Sequence, residues 1–360
     1  MQELFFELLR FAIGAQQEWP YSLSPQQWRE LYEHVQRQAL LGICFAGVSK
    51  ARKQGADIAP SLYSEWMATA AMTQQRNEML NRQCVMLQQR VEKAGMRSFI
   101  LKGQGLLDYY PKEIAMLRQP GDIDIWIDES RKNILEFASA NQIVLSNINI
   151  KHADAKVFRD TEVEFHFTPT WFYNPIHHQR FKQWLEKTEK NMAKENRINQ
   201  YGIASPTADF NIIYLLIHIY RHVFDEGIGL RQLMDYYFIL KNWQGDKDSV
   251  MLTLYSFGMT RFVGAVMWVL ACVFGLNREK MLCEPDKNDG QSLLCDVMHG
   301  GNFGQYGHNN VYNGANNAIE RGLANMKHNL HLLTRYPSEV LCAPFWKVWH
   351  WGWRQYHHYL

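Results

Sequence analysis

Asp122 and Asp124 stand one residue apart in LRQPGDIDIWID, the run from Leu117 to Asp128. Side chains alternate faces along an extended chain, so Ile123, Ile125 and Ile127 share one face and Asp122, Asp124, Trp126 and Asp128 share the other. Two carboxylates on one strand face begin roughly 6–7 Å apart at the backbone, and their oxygens can converge on one or two cations. Aspartate is depleted in strands, and like charges on one face repel unless something positive lies between them. A second feature is VEFH, where Glu164 and His166 share a face opposite Val163 and Phe165. A carboxylate there could complete a metal-binding trio with the aspartates. The third is Lys102-Gly103-Gln104-Gly105, at the end of one expected strand and the start of a short helix. Glycine lets a ligand approach the backbone, and a helix N-terminus offers free N–H groups to phosphate. Taken singly, each has a structural explanation: a turn glycine, a solvated strand face, a surface glutamate. Their chemistry depends on being brought together.

A small sheet must position these groups. MRSFILKG reads as a short buried strand, GQGLLDYY as a short helix stopped by Pro111, PKEIAMLRQPG as a loop and GDIDIWID as the second strand. SRKNILEFASANQ reads as a helix with Ser130 as N-cap. IVLSNINI, DAKVFRD and TEVEFHFTP are strand-like, the last two placed for a hairpin. This core, 96–174, is expected between an N-terminal helical region, 1–95, and a C-terminal helical domain, 175–360. The fold class expected is therefore α+β, a mixed sheet flanked by helices.

In the first region Ser24-Pro25 supplies a helix start. From Leu62 to Lys93 the apolar residues recur at three and four, as a packing helix requires. In the last region ADFNIIYLLIHIYRHVF and IGLRQLMDYYFILKNW are the clearest helices. An apolar helix at 262–276 and a Gly/Asn-rich loop from His299 to Asn317 follow. The aromatic tail FWKVWHWGWRQYHHYL is expected to dock its rings into the helical domain. His218 and His222 are spaced i, i+4, with Arg221 beside them. That spacing can bind zinc, but HExxH is absent and no third ligand is evident. Two readings remain open: His218, His222 and Arg231 line a cleft, or these are polar groups satisfied between packed helices, with Asp235 as an ion partner.

The bulk composition narrows the function classes. Of 360 residues, 47% are apolar and 13% aromatic, which provides a core and argues against disorder. With 38 basic against 36 acidic residues there is no general field for long nucleic acid. The six cysteines form no CxxC pair and fit free thiols in a reducing compartment. The N-terminal MQELFFELLRFAIG lacks a basic n-region and reads as an amphipathic helix. The longest apolar run, Phe262 to Leu276, has 15 residues, short of the roughly 20 a membrane span needs. A cytoplasmic protein without a membrane partner is expected.

Together the three features resemble the nucleotidyltransferase superfamily, whose pattern is a Gly-containing turn opening a helix, then hDhDh, then an acidic residue on a later strand. More narrowly, the chain resembles a family of uncharacterised nucleotidyltransferases with an LKG, YP, R, DIDI and hEhH signature. Those elements stand here as Leu101-Lys102-Gly103, Tyr110-Pro111, Arg118, Asp122-Ile123-Asp124-Ile125 and Val163-Glu164-Phe165-His166. The likeness is close over about 100–170, and extends less specifically to the helices carrying His218, Arg221 and His222 and Arg231 and Asp235. It implies Mg²⁺, with Mn²⁺ as an alternative, at Asp122, Asp124 and Glu164. It also implies an NTP such as ATP held by Lys102, Gly103, Gln104, Arg118, His166, His218, Arg221, His222 and Arg231. The acceptor would be a hydroxyl, with the neutral charge balance favouring a small molecule or a protein over long RNA. Two departures matter. Gln104 stands where the superfamily usually has serine, and Glu164 where it more often has Asp. Two rivals are a non-catalytic nucleotide-binding scaffold, which the missing serine favours, and a metal-dependent phosphohydrolase built on the histidine-rich helix.

Overall fold

In the computed structural model, which describes residues 1–192, 197–302 and 330–357, the alternation of DIDIWI becomes the second strand of a five-stranded mixed sheet. The strands are β1 (Ser98–Ile100), β2 (Ile123–Ile127), β3 (Val144–Ser146), β4 (His152–Lys156) and β5 (Val163–His166), in the order β1-β2-β5-β4-β3. Only β2 and β5 run parallel; the other pairs are antiparallel, including the expected β4–β5 hairpin. The strand-like run expected over 154–160 is shifted: β4 begins at His152 and ends at Lys156.

The helices in chain order begin with α1 (Gln2–Ala12), α2 (Pro25–Arg37), α3 (Leu41–Lys53) and α4 (Pro60–Lys93). Within the sheet region lie α5 (Lys112–Ala115) and α6 (Arg131–Ala140). Next come α7 (Pro175–Met192), α8 (Ala208–Asp225), α9 (Leu230–Asn242), α10 (Lys247–Ser256) and α11 (Thr260–Phe274). The last are α12 (Lys287–Gly300) and α13 (Pro337–Tyr356). Ser24 caps α2 through a reciprocal bond pair with Gln27, and Ser130 caps α6 by accepting from the Asn133 amide. The short helix expected over GQGLLDYY forms as a 3₁₀ helix, Gly103–Tyr109. One local expectation differs: the expected loop PKEIAMLRQPG contains α5, a single turn.

Both sheet faces are covered. Ile123, Ile125, Ile127, Val163 and Phe165 pack against Leu80, Cys84, Leu87 and Val91 of α4 and Ile134 and Phe137 of α6. On the opposite face Trp126 lies between Phe99 and Phe210, with ring centroids 5.5 and 5.6 Å away. A second, larger core joins α1 to α3 with α8, α9 and α11, so the N- and C-terminal helical regions share one apolar interior.

The 34-residue α4 runs about 50 Å and serves both cores. Its buried polar side chains brace the site. Asn77 donates to the carbonyls of Met116 and Arg118 at 2.9 and 2.8 Å, and Gln88 to that of Ala204 at 2.9 Å.

The aromatic tail departs from expectation. Trp346 packs on Trp171 and Tyr173, but Phe345, Trp349, Trp351 and Tyr356 are exposed. The helix docks by one edge only. The Gly/Asn-rich segment lies outside the described residues from 303 onward; its first two residues, His299 and Gly300, close α12.

Candidate active site

The turn after β1 sets the first group in place. Gly103 adopts φ +56°, a left-handed conformation that side chains with a Cβ rarely take. At Gly105 an added Cβ would sit 2.3 Å from the Ile100 carbonyl oxygen, so only glycine lets the 3₁₀ helix press against β1. Lys102 is thereby aimed across β2. Its Nζ lies 3.0 Å from Asp124 Oδ2 and 3.7 Å from Asp122 Oδ1.

The parallel register places Asp124 opposite Glu164 and Trp126 opposite His166. Carboxylate oxygens of Asp122, Asp124 and Glu164 all lie within 4.8 Å of one another, a set that can hold a divalent cation. His166 Nε2 sits between two of them, 2.9 Å from Asp124 Oδ1 and 3.0 Å from Glu164 Oε2. From β4, His152 Nδ1 approaches the same Glu164 oxygen at 3.0 Å.

Burial and charge divide the three carboxyls. Burial pushes Asp124 up, but the Lys102 ammonium and the His166 hydrogen bond outweigh it and hold Asp124 below the usual range. Burial likewise opposes ionisation of Glu164, yet His152 and His166 carry it far lower still. Asp122 is raised, because burial and the Asp124 charge exceed the pull of Lys102. His166 is raised against its burial by Asp124 and Glu164, whereas burial lowers His152. Lys102, half-buried against these carboxylates, is held protonated by them.

Of these groups Lys102, Asp122, His152 and Glu164 line a cleft of about 550 Å³, which His218, His222, Glu226 and Arg231 line as well. His218, His222 and Glu226 recur every fourth residue along the α8 face and its C-terminal cap. Burial, with the nearby charges of His222 and Lys102, keeps the His218 imidazole neutral. Arg231 Nη1 donates to the carbonyls of Gln119 and Pro120 at 3.0 and 3.4 Å, fixing the loop that leads into Asp122. Burial and the Arg118 charge bring Arg231 down to about 10.

Other residues singled out from sequence lie differently. Arg118 forms a bidentate pair with Asp235, both contacts 2.6 Å, and Tyr110 Oη donates to the same carboxylate at 2.5 Å. Asp235 is thus the ion partner of Arg118, not of the α8 histidines. Arg118 still borders the recess formed with Lys102, Gly103 and Asp122. The Gln104 carboxamide turns away from the cleft and donates to Asn77 and Asn81, both at 3.0 Å. Arg221 lies off the cleft: it pairs with Asp225 at 2.6 Å and stacks 3.6 Å over the Tyr173 ring. Among the described residues, neither set of side chains close enough to share a cation includes His218 or His222. The structure adds His152, which sequence reading left outside its strand, and Asn77 and Asn81, whose amides sit on what otherwise reads as a plain amphipathic helix.

Residues 24–275 match the model of a family described as uncharacterised nucleotidyltransferases. That span covers most of the chain and takes in every group described above. The chain belongs to this family. No curated protein and no solved structure matches it. As a nucleotidyltransferase family member it is a transferase at that coarse level, and its acidic groups could bind metal. Among the described residues no helix is long and apolar enough to cross a membrane.

Proposed function

We propose that this nucleotidyltransferase moves a nucleoside monophosphate from an NTP to a hydroxyl acceptor, with Asp122, Asp124 and Glu164 as the metal-holding and reaction-bearing carboxylates. The observation that carries the reading is the convergence of those three carboxylates within 4.8 Å beside the Lys102-Gly103 turn. A bound Mg²⁺ or Mn²⁺ would supply charge neutralisation and polarisation of the phosphates. The protein's own part is positioning and electrostatic complement.

Lys102 contributes a positive charge at the phosphates. The backbone amides of Gly103 and Gln104 face the β/γ-phosphates, and Arg118, His166, His218, His222 and Arg231 line the nucleotide or acceptor side. Arg221, tied to Asp225, supports α8 from behind rather than touching nucleotide. Glu164, held ionised by two imidazoles, is a weak proton acceptor and suits metal ligation better than general base catalysis. In the transfer, the acceptor oxygen bonds to the α-phosphorus as the bridging P–O bond to pyrophosphate breaks, and the hydroxyl proton is released to solvent. The near-neutral charge, 38 basic against 36 acidic residues, favours a small molecule or protein acceptor over long RNA.

The test is incubation of the protein with Mg²⁺, cell extract and ATP labelled at either the α- or the γ-phosphate. Label from the α position should appear in an acceptor, and none from the γ position. Transfer from γ alone would replace this reading with phosphoryl transfer.

A further inference from the structure

Besides the two aspartates of the carboxylate trio, Glu164 meets two imidazoles that the trio leaves out. His152 on β4 and His166 on β5 are register partners in an antiparallel pair. Glu164 Oε2 stands 3.0 Å from His152 Nδ1 and 3.0 Å from His166 Nε2. Donor atoms from all three residues lie within 4.8 Å of one another. His152 Nδ1 is a buried atom whose near neighbour is this Glu164 carboxylate oxygen. The antiparallel register, which sets His152 opposite His166, brings it there. Asp124 Oδ1, 2.9 Å from His166 Nε2, offers a fourth donor.

We propose that His152, Glu164 and His166, with Asp124 in reach, form a second cation seat that takes a divalent transition metal in preference to Mg²⁺. The seat adjoins the all-oxygen seat of Asp122, Asp124 and Glu164, shares Glu164 with it and has Asp124 between the two. The two differ in donor chemistry. Mg²⁺ is hard, demands oxygen ligands and gives up water reluctantly, whereas imidazole nitrogen suits first-row transition metals. Metal–nitrogen and metal–oxygen bonds of about 2.0–2.2 Å put tetrahedral donors about 3.2–3.6 Å apart, so contacts of 3.0 Å need only a slight opening. Mixed donors from paired strands arrive pre-positioned, because the register fixes both histidines before any ion binds. The inference rests on the reading above only for its place beside the nucleotide, since neither the donors nor their spacing depend on what is transferred.

The experiment uses the full chain and metal alone, without nucleotide, so it can fail separately from the transfer reaction. Mn²⁺ binding is followed by electron paramagnetic resonance, with pulsed detection of ¹⁴N coupling. Wild type should bind Mn²⁺ at least about tenfold more tightly than Mg²⁺ and show coupling to imidazole nitrogen. His152→Ala, and His152→Gln as the variant that preserves volume and polarity, should weaken Mn²⁺ about tenfold or more and reduce the nitrogen coupling. Asp122→Asn should leave that coupling in place. Mn²⁺ bound without nitrogen coupling, affinity unchanged in both folded His152 variants, or no Mn²⁺ binding by folded wild type would each overturn the proposal.

Discussion

At the residue scale, the carboxylate pair is legible in sequence because a period of two leaves no other way to arrange DID on a strand. Its neutralisation is not legible, because that depends on where the turn after β1 aims Lys102. Asp124 is only 2% exposed, so removing the lysine strands a buried charge. Lys102→Met should lower the unfolding free energy by about 2–3 kcal/mol, somewhat under the usual loss because Lys102 itself is partly exposed. Urea unfolding at pH 7 measures this, and an unchanged midpoint would mean that Asp124 is solvated. Gln104 shows a different limit of sequence reading. It resembles a lost serine in a phosphate-binding turn, yet its carboxamide binds Asn77 and Asn81. Gln104→Ser should therefore cost about 2 kcal/mol by leaving buried amide oxygens unpaired, without tightening NTP binding. Equilibrium unfolding and nucleotide binding on the same preparation check both parts. The role of His152 is not legible in sequence because it depends on hairpin register, and the strand-like run DAKVFRD starts two residues after it.

At the element scale, the main helices were readable from caps and apolar spacing, and the short helix after Lys102 from its glycine turn and Pro111, while α5 was not, since a single turn carries no periodicity to read. Arg118 and Asp235 tie the loop ahead of β2 to α9 through a buried bidentate pair. Arg118→Leu should cost about 3–5 kcal/mol, and the double variant Arg118→Leu/Asp235→Leu should recover much of it, because an unpaired buried charge is worse than none. A double-mutant cycle in urea separates the two cases.

On α7, burial, with Asp128 and Glu186 adding negative charge, raises Glu189 to about 7 from the usual 4.5. A carboxyl raised in the folded state costs nothing below pH 4.5, and its penalty grows to full size above pH 7. Glu189→Gln should thus raise Tm at pH 8 and leave it unchanged at pH 4. Equal shifts at both pH values would assign the effect to packing.

At the scale of the whole molecule, composition and strand signals were enough for an α+β class, but not for the sheet order or for one apolar core shared by both helical regions. Both rest on contacts distant in sequence, which local patterns do not encode. Glu339 illustrates this. Fully buried at the start of α13, it accepts from the Tyr173 amide at 2.8 Å, lies 3.2 Å from His177 Nδ1 and reaches Arg221 at 3.8 Å. Nothing in the Trp-rich tail announces it. Glu339→Ala should destabilise the chain by about 3 kcal/mol and speed proteolytic cleavage around α13, followed by mass spectrometry of the fragments.

The central claim, that a metal-bound triphosphate lies over Asp122 and Asp124, is tested most directly by calorimetric titration of each NTP with and without Mg²⁺. Wild type is compared with a folded Asp122→Asn/Asp124→Asn variant. The account expects binding that requires Mg²⁺ and disappears in the double variant. Binding that persists in the variant, or none by folded wild type even with cell-extract metabolites present, would contradict it.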